Sequence, residues 1–150
     1  MKNMFEAVCV EEIKGRLEQL KPDSKRLWGT MNAAQAVAHC SAGIEMATGD
    51  ICPPRALIGR LLGPMIKTKA LANDEPMRKN SPTAKELIVP GERDLETERK
   101  RLAGLIDHFY ATGPQACTAH PHAFFGPLLP DEWAILMYKH LDHHLRQFGV

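Results

Sequence analysis

Two histidines near the end of the chain, His140 and His144, stand four positions apart. At that spacing side chains leave an α-helix on one face, a turn apart, and two imidazoles can converge on one ion. At 100° per residue, Trp133, Leu136, Met137, His140, Leu141, His144 and Phe148 share a sector about 140° wide, the width of a buried stripe. His143 falls about 100° from His144, at the edge of the stripe, which suits a hydrogen bond or solvent rather than the ion. Two imidazoles need a third donor, and His39 is the best placed. It lies in the middle of MNAAQAVAHCSAGIEMATG, whose only formal charge is Glu45, so few sides of that segment are free to face water. A lone core histidine is ordinarily satisfied by a backbone carbonyl. Three in one small core would cost on the order of 1–3 kcal/mol for each ring left unsatisfied, and a shared ion removes that cost.

The same residues limit the chemistry. Hydrolytic zinc motifs of this spacing carry a glutamate beside the first histidine as general base; Leu141 occupies that place, which argues against proteolysis. No protein general base is identified. Gln35, one turn before His39, and His120 and His122, ahead of the last helix, are the candidates for contacts to the ligands or to substrate.

Five helical segments are expected to position these groups. Val10, Ile13, Leu17 and Leu20 recur at helical spacing up to Lys21-Pro22-Asp23, and Thr30 or Asn32 can cap the apolar helix that carries His39. Pro53-Pro54 suits the start of a third helix, with Leu57, Ile58, Leu61 and Leu62 at buried spacing and Gly63-Pro64 as a kink or break. Residues 73–91, with prolines at 76, 82 and 90, form a long irregular connection of the kind that often serves function. Leu95, Leu102, Leu105, Ile106 and Phe109 mark a fourth helix ended by Gly113-Pro114. The segment from Pro114 to Pro130 is expected to fold over the end of the bundle where the histidines open, with Phe124 or Phe125 either walling a pocket or plugging the core. Pro130-Asp131-Glu132 then starts the last helix. With no alternating β-branched runs, the economical fold is an all-α bundle of four or five helices.

The chain of 150 residues, 44% hydrophobic, can build one core without staples, so residues 1–150 are expected to form one domain. Cys9, Cys40, Cys52 and Cys117 form no Cys-x-x-Cys pair, which points to reduced, packed thiols rather than a zinc knuckle or a disulfide framework. Nineteen basic residues against eighteen acidic ones give no general attraction to nucleic acid. A basic run from Arg55 to Lys85 reads as a solvated face. No stretch approaches the ~20 apolar residues of a membrane span and the start is too acidic for a signal peptide, so a cytoplasmic protein is expected.

Several segments together carry a family resemblance: Trp28-Gly29-Thr30-Met31-Asn32 running into Ala38-His39, Asn80-Ser81-Pro82-Thr83, Phe125-Gly126 ahead of Glu132-Trp133, and above all the closing run from Tyr138 to Gly149, YKHLDHHLRQFG. Over nearly its whole length the chain resembles an uncharacterised branch of the DinB-like superfamily. The resemblance implies a four-helix bundle of DinB/YfiT-like type with a nickel- or zinc-type divalent ion held by three histidines, which map onto His39, His140 and His144. Some relatives are transferases or isomerases that use a low-molecular-weight thiol. The usual His-Pro-x-Phe-Gly segment is stretched here to His120-Pro121-His122-Ala123-Phe124-Phe125-Gly126, which leaves the roles of His120 and His122 open. The expected function is therefore a divalent-metal-dependent enzyme acting on a small molecule, in which the ion lowers the pKa of a water or thiol. The alternative is a non-catalytic metal-binding or interaction bundle, and a homodimer fits either.

Overall fold

The structure, a computed structural model, describes every residue except Pro82; of the Asn80–Thr83 segment, that proline lies outside the described residues. Five α-helices account for the regular structure: α1 (Ala7–Leu17), α2 (Ala33–Thr48), α3 (Leu57–Ala70), α4 (Leu95–Thr112) and α5 (Pro130–Gln147), with short 3-10 turns at Lys85–Leu87 and Gly113–Ala116. The protein is all-α, and no helix among the described residues is long and apolar enough to cross a membrane.

α1, α2, α4 and α5 enclose the core, α2 and α1 each packing on both α4 and α5. Ile13, Leu17, Ile44, Leu102, Ile106, Phe109, Trp133, Met137 and Leu141 are fully or nearly fully buried among them. α2 is the most enclosed element, as its lack of charge requires: Ala33, Ala34, Ala36, Val37, Ala38, Cys40, Ser41, Gly43, Ile44, Met46 and Ala47 are buried along with His39. Its small side chains let neighbouring backbones approach. Its start is set by a capping box, Asn32 accepting from the Gln35 N–H at 2.8 Å while the Gln35 side chain accepts from the Asn32 N–H at 3.0 Å. Its end is Gly49, left-handed at φ 88°, where a side chain would be strained.

α5 departs from a simple amphipathic helix. Tyr138, Lys139 and Asp142 are buried as well as the apolar stripe, because α1 covers one flank and the segment after α3 covers another. Tyr138 donates to Glu12 at 2.9 Å, and Asp142 is held by Arg16 at 2.8 Å and Arg146 at 2.7 Å. Lys139 donates to the carbonyls of Ala70 and Asn73 at 2.7 and 2.8 Å, so its charge sits at the negative end of α3. Tyr138 and Asp142 thus fasten α1 to α5, and Lys139 fastens the end of α3.

α3 corrects two expectations. The helix runs unbroken through Pro64; it lies at the surface, where water can serve the carbonyl that the proline leaves without a donor. Its leucines are not buried: Leu57 and Leu61 are 81% and 80% exposed, with Ile58 and Met65 also outside. What α3 presents inward is Gly59 and Gly63, against the backbone of Phe124. A Cβ on Gly59 would stand 2.6 Å from the Phe124 carbonyl oxygen, and one on Gly63 closer still. Glycine is therefore required by the close approach of another backbone.

The connection between α4 and α5 is packed down, as its aromatics demand. Thr118 N–H bonds to Ala47 O at 2.8 Å, and His122 Nδ1 accepts from the N–H groups of Phe124 and Phe125 at 3.0 and 3.1 Å. The His122 ring stacks on Phe125 and lies beside Trp133. Burial, with the Arg55 charge nearby, depresses its pKa from 6.5 to about 4. A histidine neutral when folded takes up a proton on unfolding, so its contribution is complete above about pH 6.5. It is lost as pH falls towards 4, by on the order of 2–3 kcal/mol. The Asn side-chain oxygen can accept the same turn N–H bonds without titrating. His122→Asn is accordingly expected to flatten the dependence of the metal-free melting temperature on pH between 4 and 6.5, and an unchanged slope would contradict this role.

Candidate metal centre

His39 on α2 and His140 and His144 on α5 come together, their ligand-capable nitrogens all within 4.8 Å of one another, as a group that could hold a metal ion. The three ring centroids form a nearly equilateral triangle, 4.8, 4.8 and 4.9 Å on a side, with the ring planes inclined at 75°, 77° and 87°. Imidazoles bound to one ion at ~2.1 Å would place their centroids about 4.5 Å apart at right angles and about 5.2 Å apart at tetrahedral angles. The observed triangle falls between the two. His39 Nε2 and His140 Nε2 are 2.9 Å apart, close to the ~3.0 Å separation of adjacent ligands on an octahedral ion.

Hydrogen bonds decide which nitrogens face the centre. His39 Nδ1 is 2.8 Å from the carbonyl oxygen of Leu87, which can only accept, so Nδ1 carries the proton and Nε2 keeps its lone pair. For His144 the decision passes through Gln147. The Gln147 amide donates to the Trp28 carbonyl at 2.8 Å, which turns its oxygen towards His144 Nδ1, also 2.8 Å away. His144 Nδ1 must then donate, and its Nε2 is free. With no ion between them, His140 Nε2–H donates to His39 Nε2. An ion there requires that proton to leave Nε2, which couples metal uptake to proton movement.

The cluster is buried on two of its three sides: His39 and His144 are buried, and His140 keeps partial contact with solvent. Burial lowers the pKa of all three, aided at His140 by His39 and His144 and opposed at His39 by the Leu87 carbonyl. His144 is depressed to about 3, by burial first and then by His39, against the Gln147 bond. All three are neutral near pH 7, the state in which imidazole is a ligand. No carboxylate is among the groups that shift them. Gly43 completes the geometry: a Cβ there would lie 2.8 and 2.9 Å from Nδ1 and Cε1 of His140, so the absence of a side chain on α2 makes room for the ring.

The other polar candidates lie elsewhere. His143 is outside the cluster, tilted against Trp28 at 5.5 Å and edge-on to His144 at 5.0 Å between centroids. Gln35 does not approach the histidines; it caps α2 and donates to the Gly91 carbonyl at 3.0 Å. His120 is absent from the group, and its N–H bonds to Thr118. His122 holds a turn, near enough to contribute to the lowering of His140. The Phe124 backbone lies against Gly59 and Gly63 of α3, and the Phe125 ring stacks on His122. Gln147, Gly43 and the Leu87 carbonyl were not anticipated. Gln147 had a signal, since it lies three residues after His144 on the same helix face.

An all-helical protein with a buried group of three histidines matches, over residues 7–149, the family described as a protein of unknown function, DUF1569. The chain belongs to that family. No curated protein and no solved structure was found to match it.

Proposed function

We propose that this chain is a divalent-metal-dependent enzyme of the DinB-like superfamily: a single four-helix-bundle domain with nickel or zinc on His39, His140 and His144, acting on a small molecule in the cytosol. The observation that carries this reading is the near-equilateral ring triangle with two Nδ1 protons committed outward. When bound, a divalent ion supplies Lewis acidity and lowers the pKa of a water or thiol. The protein's own part is orientation: Leu87 and Gln147 hold two rings in the ligand tautomer, and Gly43 admits the third. Three protein donors leave coordination positions for substrate, and His140 is the least buried of the three rings. Both features favour an enzyme over an ion that only ties helices together.

The reaction we favour is transfer or isomerisation with a low-molecular-weight thiol, with neither nucleic acid nor membrane as partner. The test is consumption of thiol against an electrophile by untagged protein, stripped of metal and then reloaded with nickel or zinc. Turnover that appears on reloading and is lost in His140→Ala supports the enzyme. A loaded protein that melts at higher temperature yet does not turn over would leave the structural-ion alternative.

We also assign the exposed stripe of α3 to a homodimer. Leu57, Leu61 and Met65, spaced by four with Ile58 alongside, form an exposed apolar stripe that a second copy related by a two-fold axis would cover. Two copies would cover on the order of 1,000 Å², about the lower bound for a stable interface. Leu61→Glu is expected to shift the sedimentation coefficient from dimer to monomer. A wild-type chain that sediments as a monomer at high concentration would remove the dimer.

A further inference from the structure

We propose that the cleft beside the histidine cluster, between the end of α5 and residues 76–79, binds a small organic anion. The anion's apolar body lies against Trp28 and Met77, and its carboxylate or phosphate is held by Lys79 and Arg146. The role of this anion as substrate rests on the metal-centre reading; its binding does not. The cleft has a volume of about 420 Å³, within the range of small-molecule sites. Its wall includes Trp28, Met77, Lys79, His143 and Arg146. His143 joins it to the centre, since its ring forms part of the wall and stands 5.0 Å from that of His144.

Two observations set the sign of the charge. Lys79 lies over the face of Trp28, 4.4 Å from the ring centroid, and has no carboxylate partner among the described residues. Arg146 bonds Asp142, and Arg16, which also holds Asp142, is itself paired with Glu12 and bonded to the Val150 carbonyl, so Arg146 is the cation of that network that borders the cleft. An aromatic face with an adjacent cation suits a planar or apolar body ending in an anionic group. The bound anion would draw Lys79 off the ring or bridge it to Arg146.

The test uses the full-length chain with benzoate and phenylphosphonate as carboxylate and phosphate probes and benzamide as the neutral control. Binding is followed by amide and indole NMR shifts, in metal-free and metal-loaded protein. Saturable shifts at Trp28, Met77 and Lys79 are expected for one or both anions, and the tighter of the two identifies the anionic group. Benzamide is expected to bind at least tenfold more weakly. Lys79→Ala, at an exposed position, and Arg146→Ala are each expected to raise the dissociation constant about tenfold, and Lys79→Glu more. Benzamide binding as well as benzoate, shifts outside the cleft, or no effect of the Lys79 variants would overturn the proposal. Anion binding that persists in a protein unable to take up metal would sustain the cleft while removing the metal-centre reading.

Discussion

His39→Ala is expected to lower divalent-metal affinity by two to three orders of magnitude while leaving helix content unchanged. Structural zinc sites bind with roughly 10–16 kcal/mol from four ligands, so one ligand is worth about 3–4 kcal/mol, or two to three decades in the dissociation constant. The substitution also removes a buried polar ring and frees the Leu87 carbonyl. Stability of the metal-free protein should therefore fall by only about 1–3 kcal/mol, from a small cavity and one orphaned acceptor. Competition against a chromophoric chelator measures the first quantity, and denaturant unfolding without metal the second. Equal metal affinity in His39→Ala and wild type would remove α2 from the centre.

Gly43→Ala is expected to have the next largest effect, and its two consequences oppose each other. In a helix interior alanine is favoured over glycine by about 1 kcal/mol. Here the added Cβ would fall 2.8 Å from His140 Nδ1, so the ring must turn or α5 must move away from α2, an overpacking cost of about 1–3 kcal/mol. The melting temperature should thus change little, or fall by a few degrees. Metal affinity, which depends on His140 staying within about 0.5 Å of its place, should fall by one to two decades. Calorimetric melting and metal titration on the same sample separate the two. An unchanged metal affinity would show that His140 reaches the ion by another rotamer and that Gly43 is only a packing residue.

The parts of this structure legible in the sequence are those governed by local periodicity. Val10-Ile13-Leu17 and Leu102-Ile106-Phe109 mark helices because apolar residues recur every three or four positions, and both sets are buried where that spacing puts them. The convergence of His39 with His140 and His144 was legible for a related reason: a helix whose single charge is Glu45 has little outward face, so its one histidine must point at a neighbour. Pattern alone failed where one element is excused from the core. The leucines of α3 have the same spacing as those of the buried helices, but the loop carrying Phe124 occupies the inner side, where only Gly59 and Gly63 fit.

Long-range polar partnerships were equally hidden. Lys139 reads as a surface lysine until the carbonyls of Ala70 and Asn73 arrive from another part of the chain. The ligand tautomers depend on Leu87 and Trp28, which supply only backbone oxygen, and no side-chain pattern announces a carbonyl. Gln35, one candidate for contacts to the ligands or substrate, has its side chain committed to capping its own helix, a use visible in the Asn32-x-x-Gln35 spacing.

The central claim is that His39, His140 and His144 hold one divalent ion through their Nε2 atoms. It is tested most directly by anomalous diffraction at the metal absorption edge, from crystals of untagged protein grown with nickel or zinc. One peak per chain is expected, about 2.0–2.2 Å from each of the three Nε2 atoms, with Leu87 and Gln147 still bonded to the Nδ1 atoms of His39 and His144. A crystal in excess metal with no peak there, and with the His39–His140 hydrogen bond intact, would contradict it.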